Sequence, residues 1–277
     1  MVHQDVSYWS SNLAHWHNIK SPLRPSIIDT AIFADLAKNS SLNNGCASTI
    51  LMLGVTPEIA SINWPSAATL IAVDNNLTMI KGLWQTNPRR IKQSAVINGD
   101  WLHLPLADSS IDLVIGDGSF NVQNSSDKYP IFNQEIKRVL KADGILILRH
   151  FIRPVVQESL HSIFSELRHG AIGNFHIFKW RLAMALQPSL ASGVCLNSIW
   201  QTWDNAQINP ETLAAELGWP IDEINTINHH AGKKLNFTFP TLQEIRLSAK
   251  PYFSEVSCNF PDYELGERCP IFLYQGL

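Results

Sequence analysis

Short apolar runs bounded by turn residues recur in the first half of the chain, at about 49–55, 69–73, 94–98, 111–116 and 144–150. Each is too short for a helix of average length. In several of them Ile, Leu and Val follow one another without alternating with polar residues, as in strands buried on both faces. Segments able to form helices lie between them, among them Asn76 to Gln85 and Tyr129 to Leu140. This alternation predicts a parallel sheet with helices on both faces.

After Phe151 the pattern breaks. Pro154 to Arg168 reads as a helix opened by its proline, and Ile172 to Pro240 is aromatic-rich and punctuated by Pro188, Pro210 and Pro220. This stretch has the character of an insertion. Within it, Asn209 to Gly218 predicts a short helix, with Asn209 as N-cap, Pro210 in the first helical position and Gly218 as the stop. Thr241 to Glu244 has a capping-box pattern that opens a last helix ending near Pro251. Strand-like runs from Phe253 to Phe260 and from Pro270 to Gln275 flank a turn at Pro261 to Arg268.

The first apolar run meets a turn at Gly54, and the second ends on Asp74. A carboxylate at a strand tip about 20 residues beyond a glycine turn has the spacing that grips a ribose diol, which suggests an adenosine cofactor. An ordered series follows: Gly99-Asp100-Trp101, the run Leu104 to Asp112, Gly116-Asp117-Gly118-Ser119-Phe120-Asn121, and Glu135 to Leu148. In these motifs, over roughly Ser48 to Phe151, the chain resembles the class I S-adenosylmethionine-dependent methyltransferases. Thr241 to Gln275 looks like the closing helix and antiparallel strand pair of that fold.

The resemblance implies an α/β fold with a doubly wound, seven-stranded, mostly parallel sheet whose last strand is antiparallel. The expected parts are an N-terminal helical segment (1–47), an S-adenosylmethionine-binding Rossmann-like core (48–151), a helical insertion after the fifth strand (152–240), and the closing helix and strand pair (241–277). The implied activity is methyl transfer from S-adenosylmethionine to an acceptor, expected to be a small molecule.

The resemblance also assigns roles. The loop Gly54-Val55-Thr56-Pro57-Glu58 would lie against the methionine part of the cofactor. It keeps only the first glycine of the family's loop: Thr56 and Glu58 stand where others would be, and Met52 where an acidic residue is often found. Glu58 either accepts from the cofactor's amino group or sits in the first turn of the next helix, where the macrodipole favours a carboxylate. Asp74 would bond both ribose hydroxyls, or else cap the helix beginning near Asn76, with Asn75 and Leu77 near the adenine edge. Asp100 and the backbone amide of Trp101 would pair with adenine, unless Gly-Asp is a plain turn. Asp117, Gly118, Ser119 and Asn121 would form the reaction centre, with Asn121 or Asp117 facing the acceptor; the alternative is again a turn.

His150, at the end of the fifth strand, is a candidate base or a structural histidine. Arg149 and Arg153 would bind an anionic substrate or pair with surface carboxylates. Arg24 would fork onto the cofactor's carboxylate, or belong to a packing segment with Trp9 and Trp16. In the insertion, Phe175, Phe178, Trp180, Trp200 and Trp203 read as core with a few pocket-lining members, of which Phe178 and Trp180 are the candidates. Lys179, Arg181, Lys233 and Lys234 lie nearby in sequence.

Composition narrows the field. A chain of 277 residues suits one domain with an insertion, and a net charge of −3 gives no broad basic field for nucleic acid. Without an apolar run near the roughly 20 residues of a membrane span, and with a polar start, a soluble cytoplasmic protein is expected. Neither the four scattered cysteines nor the pairs His15/His17 and His229/His230 show metal-ligand spacing, so no metal is expected. Two other readings use the same features. One is a nicotinamide-dependent oxidoreductase, opposed by the Gly-Asp-Trp element and the missing Gly-x-Gly-x-x-Gly pattern. The other is a catalytically silent scaffold, motivated by the altered glycine loop.

Overall fold

The five apolar runs become β1 (Thr49–Leu53), β2 (Thr69–Asp74), β3 (Ser94–Asn98), β4 (Ile111–Asp117) and β5 (Leu140–Arg149). The computed structural model describes residues 6–38, 48–87 and 91–277. With β8 (Phe253–Asn259) and β9 (Ile271–Gly276) these strands form one sheet in the order β3-β2-β1-β4-β5-β9-β8. β1 to β5 are parallel, and β9 runs antiparallel between β5 and β8. Ile50 to Leu53 are buried throughout, which is why this central strand shows no polar alternation.

The order of connection reverses beside β1, with β2 on one side and β4 on the other. Register aligns Leu53 with Val73 and Gly116, and Asp117 with Arg149, so these strands end at one level. A crevice at such a reversal is where open α/β sheets bind ligands.

One face of the sheet is covered by α2 (Ile27–Lys38), α3 (Pro57–Ala60) and α4 (Leu77–Met79), which continues as a π-helical turn at Ile80–Trp84. The other is covered by α5 (Tyr129–Val139) and α11 (Leu242–Ala249). The insertion folds as a cap of α6 (Leu160–Arg168), α7 (Phe175–Leu186), α8 (Leu196–Asn205), α9 (Pro210–Leu217) and α10 (Ile221–Asn225). A two-stranded ribbon, β6 (Val194–Cys195) with β7 (Asn236–Phe237), completes it. The cap has its own aromatic core, where the Phe178 ring lies 5.3 Å from Phe164 and 5.6 Å from Trp203. The N-terminal α1 (Val6–Ala14) joins the layers, because Tyr8 enters the cap's core while Leu13 packs on the sheet's helices.

The end signals of the later helices work as the sequence predicts. Asn209 Oδ1 accepts from the Thr212 amide at 2.7 Å, Gly218 stops the helix at φ 68°, and Thr241 and Glu244 form the reciprocal capping box. Two helices differ from expectation. The segment after Pro154 becomes helical only at Leu160, where Ser159 Oγ accepts from the Ser162 amide at 3.0 Å. Just upstream, Glu158 is held by Arg181 and Arg268, each at 2.5 Å, which fixes the chain outside a helix. The Asn76–Gln85 segment is α-helical for one turn only, and the Gln85 amide then reaches back five residues to the Ile80 carbonyl at 3.2 Å.

Cys195, Cys258 and Cys269 are free thiols, the last fully buried and the other two half-buried; Cys46 lies outside the described residues. No helix among the described residues is long and apolar enough to cross a membrane.

Candidate active site

β1 ends at Gly54, whose φ of 95° lies in the region that side chains avoid. Its amide donates to the Val73 carbonyl at 2.8 Å. A Cβ at this position would stand 3.6 Å from the Trp101 ring and 3.8 Å from Asp74 Oδ2. Conformation rather than space therefore demands glycine, and the bare backbone faces the Asp74 carboxylate. Val55 and Thr56 continue this wall of a cavity of about 1250 Å³, counted with its open mouth.

Asp74 is half-buried, and its Oδ1 accepts from the Asn76 amide at 2.8 Å. The helix cap is Asn76 itself, whose Oδ1 accepts from Thr78 and Met79 at 3.0 Å. That frees Asp74 from the capping role, and its Oδ2 faces Gly54. Burial pushes the Asp74 carboxyl up to about 6, against the opposing pull of the Asn76 amide. Trp101 donates from Nε1 to the Val73 carbonyl at 2.6 Å, fixing its indole beside Gly54. Asp100 and Asn75 are exposed and line the mouth, with Asp100 Oδ1 accepting from the Leu102 amide at 3.0 Å.

Arg24 and Glu58 do not line this cavity, because they bind each other. Arg24 donates to Glu58 Oε1 from Nε at 2.9 Å and from Nη2. Its Nη1 donates to the carbonyls of Trp16 at 2.8 Å and Ile19 at 3.2 Å. Glu58 does occupy the first turn of α3, and all three guanidinium nitrogens of Arg24 are engaged.

Asp117 does line the cavity, yet both its oxygens meet Arg149, at 2.6 and 3.1 Å. Arg149 is wholly buried, ion-paired also to Asp29 at 3.0 Å and donating to Tyr263 Oη at 3.2 Å and the Pro22 carbonyl at 3.0 Å. It is thus an internal cation rather than one presented to a substrate. Burial pushes the Asp117 carboxyl up to about 6, opposed by the Arg149 charge. Arg153 pairs with Glu244 at 3.2 Å.

Gly118, at φ 61°, lies so close to Phe151 that a Cβ would stand 3.0 Å from its ring. Asn121 lines the cavity but is a clamp. Its Nδ2 donates to the carbonyls of Phe151 and Thr238, both at 2.7 Å, and its Oδ1 accepts from the Phe151 amide at 3.0 Å. It ties the β4 loop to the end of β5 and to the last residues of the cap.

Two expected site residues face elsewhere. Ser119 is buried with its Oγ toward Gly116, where an added Cβ would stand 2.5 Å away. His150 lies between the rings of Phe120, at 5.0 Å, and Phe272, at 5.5 Å, and neither ring nitrogen has a hydrogen-bond partner. Burial pushes its pKa down to about 3, so it is neutral, and it does not reach the cavity. At the strand end its side chain takes the face covered by α5, opposite the role of a base.

The far wall comes from α1 and the cap. Tyr8, Trp9, Asn12, Lys179, Trp180 and Phe237 line it, and Trp16 adds a further indole. Phe178, two positions before Trp180 and so roughly 200° away around the helix, turns into the cap core instead. Sequence reasoning missed Tyr8, Asn12, Gln123 and Phe237. The helical spacing of Tyr8 and Asn12 was a usable signal; Phe237 had none, because its place depends on the ribbon. Among the described residues, no group of three His, Cys, Asp or Glu side chains is placed to hold a metal ion.

An open sheet with this strand order, an acidic strand tip beside a glycine turn, and a roofed crevice at the carboxyl ends define a class I Rossmann-like methyltransferase domain. The family model described as the methyltransferase domain matches residues 51–148. The cofactor of this family is S-adenosylmethionine. No curated protein matches the sequence. Solved structures resemble the whole chain. They include the CcbJ methyltransferase from Streptomyces caelestis, at 11% identity and TM-score 0.57, with 99% of each chain covered. The N-methyltransferase NodS from Bradyrhizobium japonicum WM9, in complex with S-adenosyl-L-homocysteine, matches at 11% identity and TM-score 0.54, covering 98% of this chain and 99% of that one. A Rhodobacter sphaeroides protein provisionally described as a zinc-dependent alcohol dehydrogenase matches at 13% identity and TM-score 0.62, covering 99% of this chain and 100% of that one. At such identities these likenesses establish the fold alone.

Proposed function

We propose that the protein transfers the methyl group of S-adenosylmethionine to a small-molecule acceptor held between the strand ends and the cap. The observation that carries this reading is the Asp74 carboxylate: Oδ1 is fixed by the Asn76 amide while Oδ2 faces the bare backbone of Gly54. That arrangement fits a ribose diol, and the exposed Asp100 fits an adenine amino group at the mouth. Val55 and Thr56 would then flank the methionine part.

When bound, the cofactor supplies a methyl group already activated by its sulfonium. The chain's own residues have to align the acceptor and exclude water, and a strong base is optional. Trp9, Trp16, Phe151 and Trp180 make the walls that exclude water. Asn121 acts as a positioning residue, holding the floor of the cavity to the cap through three hydrogen bonds.

The test is incubation with S-adenosylmethionine carrying a tritiated methyl group and a small-molecule metabolite extract. The expected result is label in a low-molecular-weight product together with S-adenosylhomocysteine. Label appearing only in protein or nucleic acid would refute the small-molecule acceptor. Binding of NAD without binding of S-adenosylhomocysteine would refute methyl transfer itself.

A further inference from the structure

The cavity is divided by charge. Its strand-end wall carries Asp74, Asp100 and Asp117, whereas Lys179 is the single cationic lining residue among the described residues. Lys179 is only 2% exposed and lies in the apolar helix α7, directly before Trp180. Its Nζ donates to Thr226 Oγ1 at 3.0 Å, and that hydroxyl in turn donates to the Glu223 carbonyl at 2.6 Å. An ammonium has three donors. No carboxylate among the described residues forms an ion pair with it, and the Glu223 side chain is taken by Lys20. A buried cation without a counterion is unfavourable unless something else completes it.

The cavity wall that Lys179 shares is rich in aromatic rings. Tyr8 and Trp180 each stand edge-on to Phe237, at 6.0 and 5.7 Å, and Trp180 stands edge-on to Phe151 at 5.4 Å. These rings pack on one another, and Tyr8, Trp180, Phe237 and Phe151 all border the cavity, where they offer an aromatic wall to a further ring.

We propose that Lys179 receives the carboxylate of a planar aromatic acceptor whose ring seats among Tyr8, Trp180 and Phe237. This inference rests on the methyl-transfer reading and adds the substrate class to it. Burial lowers the Lys179 amine to about 7, so an adjacent carboxylate favours the protonated, ion-paired form. The Asp-lined wall suits the positive sulfonium and ammonium of the cofactor, and the Lys179 wall suits an anion.

The experiment is calorimetric titration of the full chain, saturated with S-adenosylhomocysteine, with 1-naphthoate and with its neutral isostere 1-naphthamide. Wild type should bind the naphthoate at least tenfold more tightly than the naphthamide. Lys179→Met conserves volume and so keeps the fold. It should lose that preference while binding S-adenosylhomocysteine within threefold of wild type. Equal affinity of wild type for the two probes would overturn the proposal, as would unchanged naphthoate binding in the variant. A variant that loses S-adenosylhomocysteine instead would assign Lys179 to the cofactor's own carboxylate and overturn it too. Absence of S-adenosylhomocysteine binding in wild type would mark failure of the methyl-transfer reading, whereas its presence without naphthoate binding marks failure of this inference alone.

Discussion

The two walls of the cavity are made differently. The strand-end wall is assembled from Gly54, Asp74, Asp100 and Asp117, each at or just beyond the tip of a parallel strand and therefore placed by register alone. The cap wall takes Tyr8 from an N-terminal helix, Lys179 and Trp180 from α7, and Phe237 from a ribbon, brought together by a core that spans most of the chain. The first kind of wall is rigid and generic, and suits a common cofactor. The second is built from particular packing, which is where a choice of acceptor can reside.

This comparison breaks most sharply at Arg149, the buried cation beneath the strand-end wall. Arg149→Met would leave Asp29 and Asp117 without their shared partner, so a loss of about 3–5 kcal/mol is expected in urea unfolding followed by circular dichroism. A smaller loss would show that one of the two carboxyls takes up a proton and relieves the repulsion. Asn121 joins the two walls. Asn121→Ala would orphan the Phe151 amide and two carbonyls, and a cost of about 2–3 kcal/mol in the same measurement is expected.

Acid should act on the strand-end wall selectively. Asp74 with its pKa near 6 is protonated below that pH in the free protein, so binding a diol to the ionised form must release a proton there. The affinity for S-adenosylhomocysteine should therefore decline below about pH 6, by up to about tenfold per unit. Asp117 titrates in the same range and is common to both proteins, so the difference between the wild-type and Asp74→Asn profiles isolates Asp74. Identical profiles would remove it from the binding step. The smallest effect is expected at His150. His150→Leu should leave turnover unchanged and stability within about 1 kcal/mol, because the ring makes no hydrogen bond to lose. A large fall in turnover in a stable variant would restore the histidine as a base.

The same division explains what could be read from sequence. The strands, the insertion and the cavity-facing places of Gly54, Asp74, Asp100 and Asp117 were legible because apolar runs mark strand ends and strand ends mark the crevice. What a side chain does once there was less legible. Arg24 and Glu58 lie 34 positions apart in the sequence, and nothing local announces that each is the other's partner. His150 sits next to a site residue in sequence but on the opposite face of its strand, and only the identity of the covering helix decides which face is wet. Lys179 is one of two cations, with Arg181, in the otherwise mostly apolar Phe175–Leu186, and nothing local says that it faces the cavity, because its hydrogen-bond partner Thr226 lies 47 positions away and the lining residue Tyr8 comes from the N-terminal helix.

The central claim is that the strand-end wall holds S-adenosylmethionine by the Asp74 carboxylate. Calorimetric titration of S-adenosylhomocysteine into wild type and Asp74→Ala tests it most directly. The expected result is one site per chain in wild type, no heat with NAD, and a loss of about 2–4 kcal/mol of binding free energy in the variant. Equal affinity in the two proteins would contradict the assignment.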